Sequence, residues 1–274
     1  SFPTRRSSDL CKDKDELLDF AKDKFIGIEG KGVEGRPGEV YVDCLGHPTI
    51  GIGHLVVHKI YVLGGTDSKG KYHAPDPKAV DQCREKFIEL PLLDKNGKPM
   101  SDAQKGAKFD QMINLMKSKG RALTNDEIKN LNLGHLSEEG MDQIYRKDHE
   151  KFLKRAVNAM MPDGKKVDVN DPDFWEKTKE SNFWKMTRSA QVSFVHGYFW
   201  GKGKTMDKLA ESCHQDPYLV GQGLPKYLNK GLKPNRAIQR NANQAESDST
   251  AVQQQRQLQL QQQRIPMQKG NQGR

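Results

Sequence analysis

The sequence predicts an α+β fold, with a small sheet early in the chain and helices after it. Three observations predict it. Leu17, Ala21, Phe25 and Ile28 recur at three- and four-residue steps, the period of a helix with one buried face. Between Val33 and Ile52, short β-prone pieces alternate with turn residues, as in a hairpin or a three-stranded sheet. From Leu136 to Met161 a longer helical stripe follows. At 1.5 Å per residue it would reach about 36 Å, enough to bridge two lobes.

Each element has a local cause. The first helix, Lys12 to Ile28, carries Asp13, Asp15 and Glu16 in its first turn, and Gly27, Gly30 and Gly32 mark its end. Acids suit a helix start and glycines its finish. The pieces Glu39–Asp43 and Thr49–Ile52 are strands separated by a turn at Cys44 to Pro48. A further helix over Asp102–Lys117 gathers Phe109, Met112, Ile113 and Met116 on one face, after a turn at Asp94-Lys95-Asn96-Gly97. The long helix opens at Ser137, an N-cap residue followed by Glu138 and Glu139, and ends before Pro162. Its stripe of Met141, Ile144, Tyr145, Phe152, Ala156 and Met160 is core. Ser189–Phe194 reads as a buried helix. From 246 to 274 the chain is Gln-rich with scattered Arg, and is expected to be a flexible basic tail or an isolated helix.

Composition narrows the function. The chain has 274 residues and a formal charge of +9, with a pI near 9.2 and a mean hydropathy of −0.85. Such a length buries a sizeable core, while the low hydropathy leaves part of the chain solvated. No run approaches a membrane span, so no membrane insertion is expected. The basic balance suits an anionic partner. Nucleic acid, a lipid or other anionic envelope surface, and an acidic cell wall would each fit, and no nucleic-acid module is evident. Four widely spaced cysteines (Cys11, Cys44, Cys83 and Cys213) make neither a disulfide framework nor a zinc pattern. His54 and His58 lie four apart without an HExxH motif, so no metal or other cofactor is implied. Residues 1–10, SFPTRRSSDL, look like a translated sequencing adaptor. They are set aside as an artefact, with the true start expected to be missing.

The chemistry concentrates in Glu29–Leu55, EGKGVEGRPGEVYVDCLGHPTIGIGHL. Two carboxylates on separate short elements, Glu29 and Asp43, stand near a hydroxyl, Thr49. Glycosidic bond hydrolysis needs such a pair: one acid protonates the leaving oxygen and the other acts at the sugar carbon. Glu29 falls at a helix C-terminus, where partial negative charge disfavours ionisation and favours a proton donor. Solvated Glu and strand-end Asp are the ordinary alternatives. Cys44 beside Asp43 is a weaker rival as a nucleophile.

This stretch resembles the phage-type lysozymes, glycoside hydrolase family 24. The matches are Glu29-Gly30, Tyr41, Asp43, Gly46 and Thr49-Ile50-Gly51-Ile52-Gly53-His54. Between Glu29 and Asp43 the chain is longer than the family pattern. The extra residues fall around Gly35-Arg36-Pro37-Gly38, which is turn chemistry and is expected to lengthen a hairpin. The resemblance implies a two-lobed lysozyme-like fold, a sheet-bearing lobe and a helical lobe joined by the long helix. It implies Glu29 as acid, Asp43 as the guide of the attacking water and Thr49 as its second holder, with inversion of configuration. Leu55, His196 and Trp200 are then candidates for sugar contact, with core packing the alternative for Trp200. The segment Val195–Gly201 departs from the family's Phe-Asn-x-Gly turn. His54 supports the strand end, and Arg236, in Lys233–Ala237, is expected to pair with Glu29.

On this reading residues 11–245 are the catalytic domain, a monomer acting on the β-1,4 bond between N-acetylmuramic acid and N-acetylglucosamine in peptidoglycan. Its place of action would be the bacterial cell wall, as in endolysins and other bacteriolytic enzymes. Residues 60–135 exceed what the family's minimal members carry and are expected to be an insertion, either a lobe at the cleft mouth or a decoration. Two rivals remain: a non-catalytic peptidoglycan-binding protein, and a structural component of a phage or secretion machine carrying a lysozyme-like domain.

Overall fold

The computed structural model describes residues 11, 13–29, 38–43, 45–67, 70–199, 201–228 and 236–264, without the side chains of 23–29, 163, 236–238 and 262–264. In chain order the elements are α1 Lys14–Glu29, β1 Val40–Val42, β2 Pro48–Ile50, β3 His54–Leu55, α2 Lys59–Leu63, β4 Gly65–Thr66, β5 Tyr72–His73, α3 Pro77–Ile88 and β6 Leu92–Leu93. There follow α4 Asp102–Lys119, α5 Asn125–Leu131, β7 His135–Leu136, α6 Glu138–Ala159, α7 Phe174–Lys177, α8 Arg188–Phe199, α9 Gly203–Ser212, α10 Pro217–Leu228 and α11 Arg236–Arg264. The fold is α+β, as expected. Two compact units divide it: Phe25–Asp148, which holds every strand described, and Ser1–Lys24 with His149–Arg274, whose described elements are helical. The division falls within α1 and within α6.

In the sheet unit, β1, β2 and β3 form an antiparallel meander, the three-stranded alternative of the sequence reading. Val40 pairs with Ile50, Tyr41 with Thr49, and Thr49 with Leu55. Directly paired residues share a face, so Val40 and Ile50 face one way and Tyr41, Thr49 and Leu55 the other. The Val40–Ile50 face enters a hydrophobic cluster with Phe87 of α3, Phe109 and Met112 of α4, and Ile128 of α5. The Phe87 and Phe109 ring centroids lie 5.5 Å apart.

The expectation that 60–135 is an insertion therefore needs correcting. Most of the buried cluster comes from that segment, so the segment is the core on which the sheet rests and neither a decoration nor a separate lobe. Its helices are locally well specified. Ser101 with Gln104, and Thr124 with Glu127, form reciprocal capping boxes. Gly120, with φ +61°, ends α4 in the left-handed conformation. Arg84 makes a two-pronged ion pair to Asp110 at 2.8 and 2.9 Å, tying α3 to α4. The buried Lys105 donates to the carbonyls of Ile88 and Leu90 at the end of α3.

The helical unit is organised on α8, whose residues Ala190–Tyr198 are all buried. Gln191 donates to the carbonyls of Cys11 and Phe183 and accepts from the Cys11 amide, fixing the chain ahead of α1. Arg188 pairs with Glu16 and lies 5.4 Å from the Phe20 ring. A second correction concerns the tail. Residues 246–264 are helical, in α11, and the helix is seated on its neighbours as far as Gln253. Ala242, Ala245 and Ser249 are fully buried, Ser189 donates to Asp248 at 2.6 Å, and Gln222 bonds Gln253 at 2.7 Å. Small residues at three- and four-residue steps let α11 approach α10 closely, and a Cβ added at Gly221 would stand 1.9 Å from Ser249 Oγ. Residues 254–261 are exposed.

Phe109→Ala is expected to lower the unfolding free energy by about 3–5 kcal/mol. Urea titration followed by circular dichroism reads this, and an unmoved midpoint would show 60–135 to be separable. Gly221→Ala should destabilise by about 1–3 kcal/mol, and adding Ser249→Gly should recover part of the loss. A double-mutant cycle with strictly additive effects would refute the close approach.

Candidate functional site

The turn between β1 and β2 is built by Asp43. Its amide donates to the His47 carbonyl at 3.0 Å, and its own carbonyl accepts from the Gly46 amide at 2.9 Å. Gly46 has φ +82°, the left-handed residue that closes a hairpin loop with a bulge. Asp43 Oδ1 accepts from the amides of Leu45 at 2.9 Å and His47 at 2.8 Å, an Asx arrangement that rigidifies the loop. Asp43 Oδ2 has no hydrogen bond among the described residues.

Thr49 comes to the same place. Its hydroxyl donates to the His47 carbonyl at 3.2 Å, so Asp43 and Thr49 meet on the backbone of His47. Thr49 is only 4% exposed, whereas Leu55, its partner across β3, is 46% exposed. His54, at the head of β3, sets its Nδ1 2.5 Å from Asp148 Oδ2 on α6. That contact ties the head of β3 to α6.

Beneath the turn lies a pair that sequence reasoning missed. The His47 and His58 rings are 4.0 Å apart between centroids. His47 Nδ1 accepts from the Lys59 amide at 3.2 Å, and His58 Nδ1 from the Ile60 amide at 3.2 Å. Lys59 Nζ donates to the Leu45 carbonyl at 2.5 Å. Burial, with the neighbouring His58, lowers the His47 pKa to about 4, and burial lowers that of His58 as well. Both rings are therefore neutral near neutral pH. The only sequence signal was an unexplained histidine inside a turn.

The remaining expected site residues do not all join this place. Glu29 is the last residue of α1, the helix end expected for it, but its side chain lies outside the described residues, as do Trp200, Cys44 and the side chain of Arg236. His196 is corrected: at 1% exposure it is interior to α8. Burial and the neighbouring His149 hold its pKa well below the usual range, so it is a core histidine and not a lining of an open cleft. Elsewhere in the sheet unit, Glu39, His135, Glu138, Lys129, Asn130 and Asn132 border a cavity of about 790 Å³. Asp43, Thr49, His54 and Leu55 do not line it. Among the described residues no group of His, Cys, Asp and Glu could hold a metal ion, and no helix is long and apolar enough to cross a membrane.

Comparison of the chain with protein-family models, with curated proteins and with solved structures gave no match. The class defined by fold and geometry is thus an α+β protein with a carboxylate-capped hairpin on a three-stranded sheet.

The histidine pair makes stability depend on pH. Because the folded pKa of His47 lies below its ordinary value of 6.5, the unfolded chain binds the extra proton between about 6.5 and 4. Stability should therefore fall as pH drops through that window, by roughly 3 kcal/mol at most. Urea midpoints at pH 7 and pH 4.5 measure it, and His47→Gln should flatten the dependence. An equal slope in the variant would acquit His47.

Proposed function

We propose that the chain is a muramidase that hydrolyses the β-1,4 bond between N-acetylmuramic acid and N-acetylglucosamine in peptidoglycan, and so acts on the bacterial cell wall. The observation that carries this reading is the meeting of Asp43 and Thr49 on the His47 backbone, with one Asp43 oxygen left open on a rigid loop. A carboxylate oxygen held in place without a hydrogen bond is suited to accept a proton from, and orient, an attacking water. Glu29 at the C-terminal end of α1 has the helix-end environment that favours a proton on the acid. With water as the nucleophile, the leaving oxygen takes the Glu29 proton while Asp43 receives the water's, giving inversion at the sugar carbon.

One observation favours a second reading, a wall-binding protein without hydrolysis. The Thr49 hydroxyl is buried and already committed to the His47 carbonyl, and a water-holding role requires it to turn outward.

The deciding assay is release of reducing sugar from purified peptidoglycan by the full chain, beside Glu29→Gln and Asp43→Asn. Each substitution is expected to reduce the rate by about 100-fold or more while the unfolding midpoint stays within that of a surface change. A parent chain that sediments with the wall yet releases no reducing ends would replace hydrolysis with binding.

A further inference from the structure

The net charge of this protein is not spread over it. Residues 25–148 contain 18 Lys and Arg and 18 Asp and Glu, and residues 1–24 are likewise balanced at 6 and 6. The whole +9 therefore belongs to 149–274, with 21 basic residues against 12 acidic ones. The sheet unit, which holds Asp43 and Thr49, is formally neutral.

Within the helical unit part of that charge is gathered at one cavity of about 340 Å³. Its cations come from three places in the chain: Arg155 on α6, Lys166 in the segment after it, and Lys204 on α9. The Lys166 segment is clasped to α6. Asn158 donates to the Val167 carbonyl at 2.7 Å and accepts from the Val167 amide at 3.0 Å, and Lys154 Nζ donates to the Val169 carbonyl at 3.0 Å. The backbone that carries Lys166 is thereby held against α6. The single acid lining the cavity, Asp207, accepts a 2.6 Å hydrogen bond from the hydroxyl of the buried Tyr198. Among the described residues no carboxylate forms an ion pair with Arg155, Lys166 or Lys204. Asp207 keeps its own charge, so the lining carries three exposed cations against one carboxylate, a net +2 that favours an added anion.

From this we infer that the cavity formed by Arg155, Lys166 and Lys204 is a binding site for a phosphoryl group. The planar guanidinium fork of Arg155 matches two oxygens of a tetrahedral phosphate, and the two ammonium groups add point charges to the others. The volume equals that of about ten water molecules, room for the phosphate and the polyol or sugar carbons attached to it. The same chemistry is offered by a small phosphorylated molecule and by the phosphodiester backbone of an anionic wall polymer. The inference does not rest on the muramidase reading.

Calorimetric titration of the full chain with inorganic phosphate, at ionic strength fixed with sodium chloride, tests it. One saturable site is expected. Arg155→Gln and Lys166→Gln should each weaken it at least about tenfold, Arg155→Lys should fall between, and Arg256→Gln, on the exposed end of α11, should leave it unchanged. Failure to saturate, or an equal loss from Arg256→Gln, would overturn the site in favour of diffuse attraction by net charge. Displacement of phosphate by acetate at equal concentration would overturn the phosphoryl assignment. Competition by poly(glycerol phosphate) would name the polymer as source, and competition by glycerol phosphate alone would name the small molecule; both support the site.

Discussion

Strand register in the β1–β2–β3 meander is the constraint on which the sheet unit depends. Side chains alternate faces along a strand, so a slip of one residue exchanges every inward group with an outward one. Ile50 is completely buried in the core and its neighbour Thr49 faces the other way. The turn fixes which is which. Asp43 holds it with its backbone and with Oδ1, Gly46 supplies the left-handed residue the bulge requires, and the His54–Asp148 contact secures the far end of the meander. Asp43 is thus at once the architect of the loop and the bearer of its one uncommitted oxygen.

That double use explains why a catalytic and a purely structural assignment of Asp43 share the same geometry. Oδ1 organises the turn, and Oδ2 is the atom from which chemistry could proceed. The His47–His58 pair adds a second dependence, because a proton on either of two rings 4.0 Å apart disfavours this packing. The turn that carries Asp43 is therefore most secure near neutral pH, where burial keeps both rings neutral.

The two units divide electrostatic labour. Hydrophobic packing of α3, α4 and α5 under the sheet makes a neutral scaffold, while the helical unit, built on the buried α8, carries the charge excess. Long basic side chains project from helix surfaces at little cost to the packing beneath them. A helical unit can therefore hold a cluster such as Arg155, Lys166 and Lys204 without disturbing its core.

Local rules determined much of this protein from sequence alone. Periodicity and capping residues marked α1, α4 and α6 to within a few positions, and the turn residues between Asp43 and Thr49 marked the meander, because helix caps and tight turns are set by groups a few residues apart. The placing of Glu29 at a helix end followed in the same way. Tertiary structure decided the rest. Whether 60–135 stands apart or forms the core depends on which apolar faces meet, and Phe87 against Phe109 is a contact no local pattern contains. That the helix over 246–264 packs on its neighbours was missed because Ala242, Ala245 and Ser249 give little hydrophobic signal, their value being the closeness to α10 that small side chains permit. His196 was read as a sugar contact and lies in the core, since burial of a histidine is settled by what packs around it. The Asp148 carboxylate beside His54 and the His47–His58 pair also depend on residues distant in the chain or on ring packing. Sequence specifies such residues individually, but only folding brings them within bonding distance.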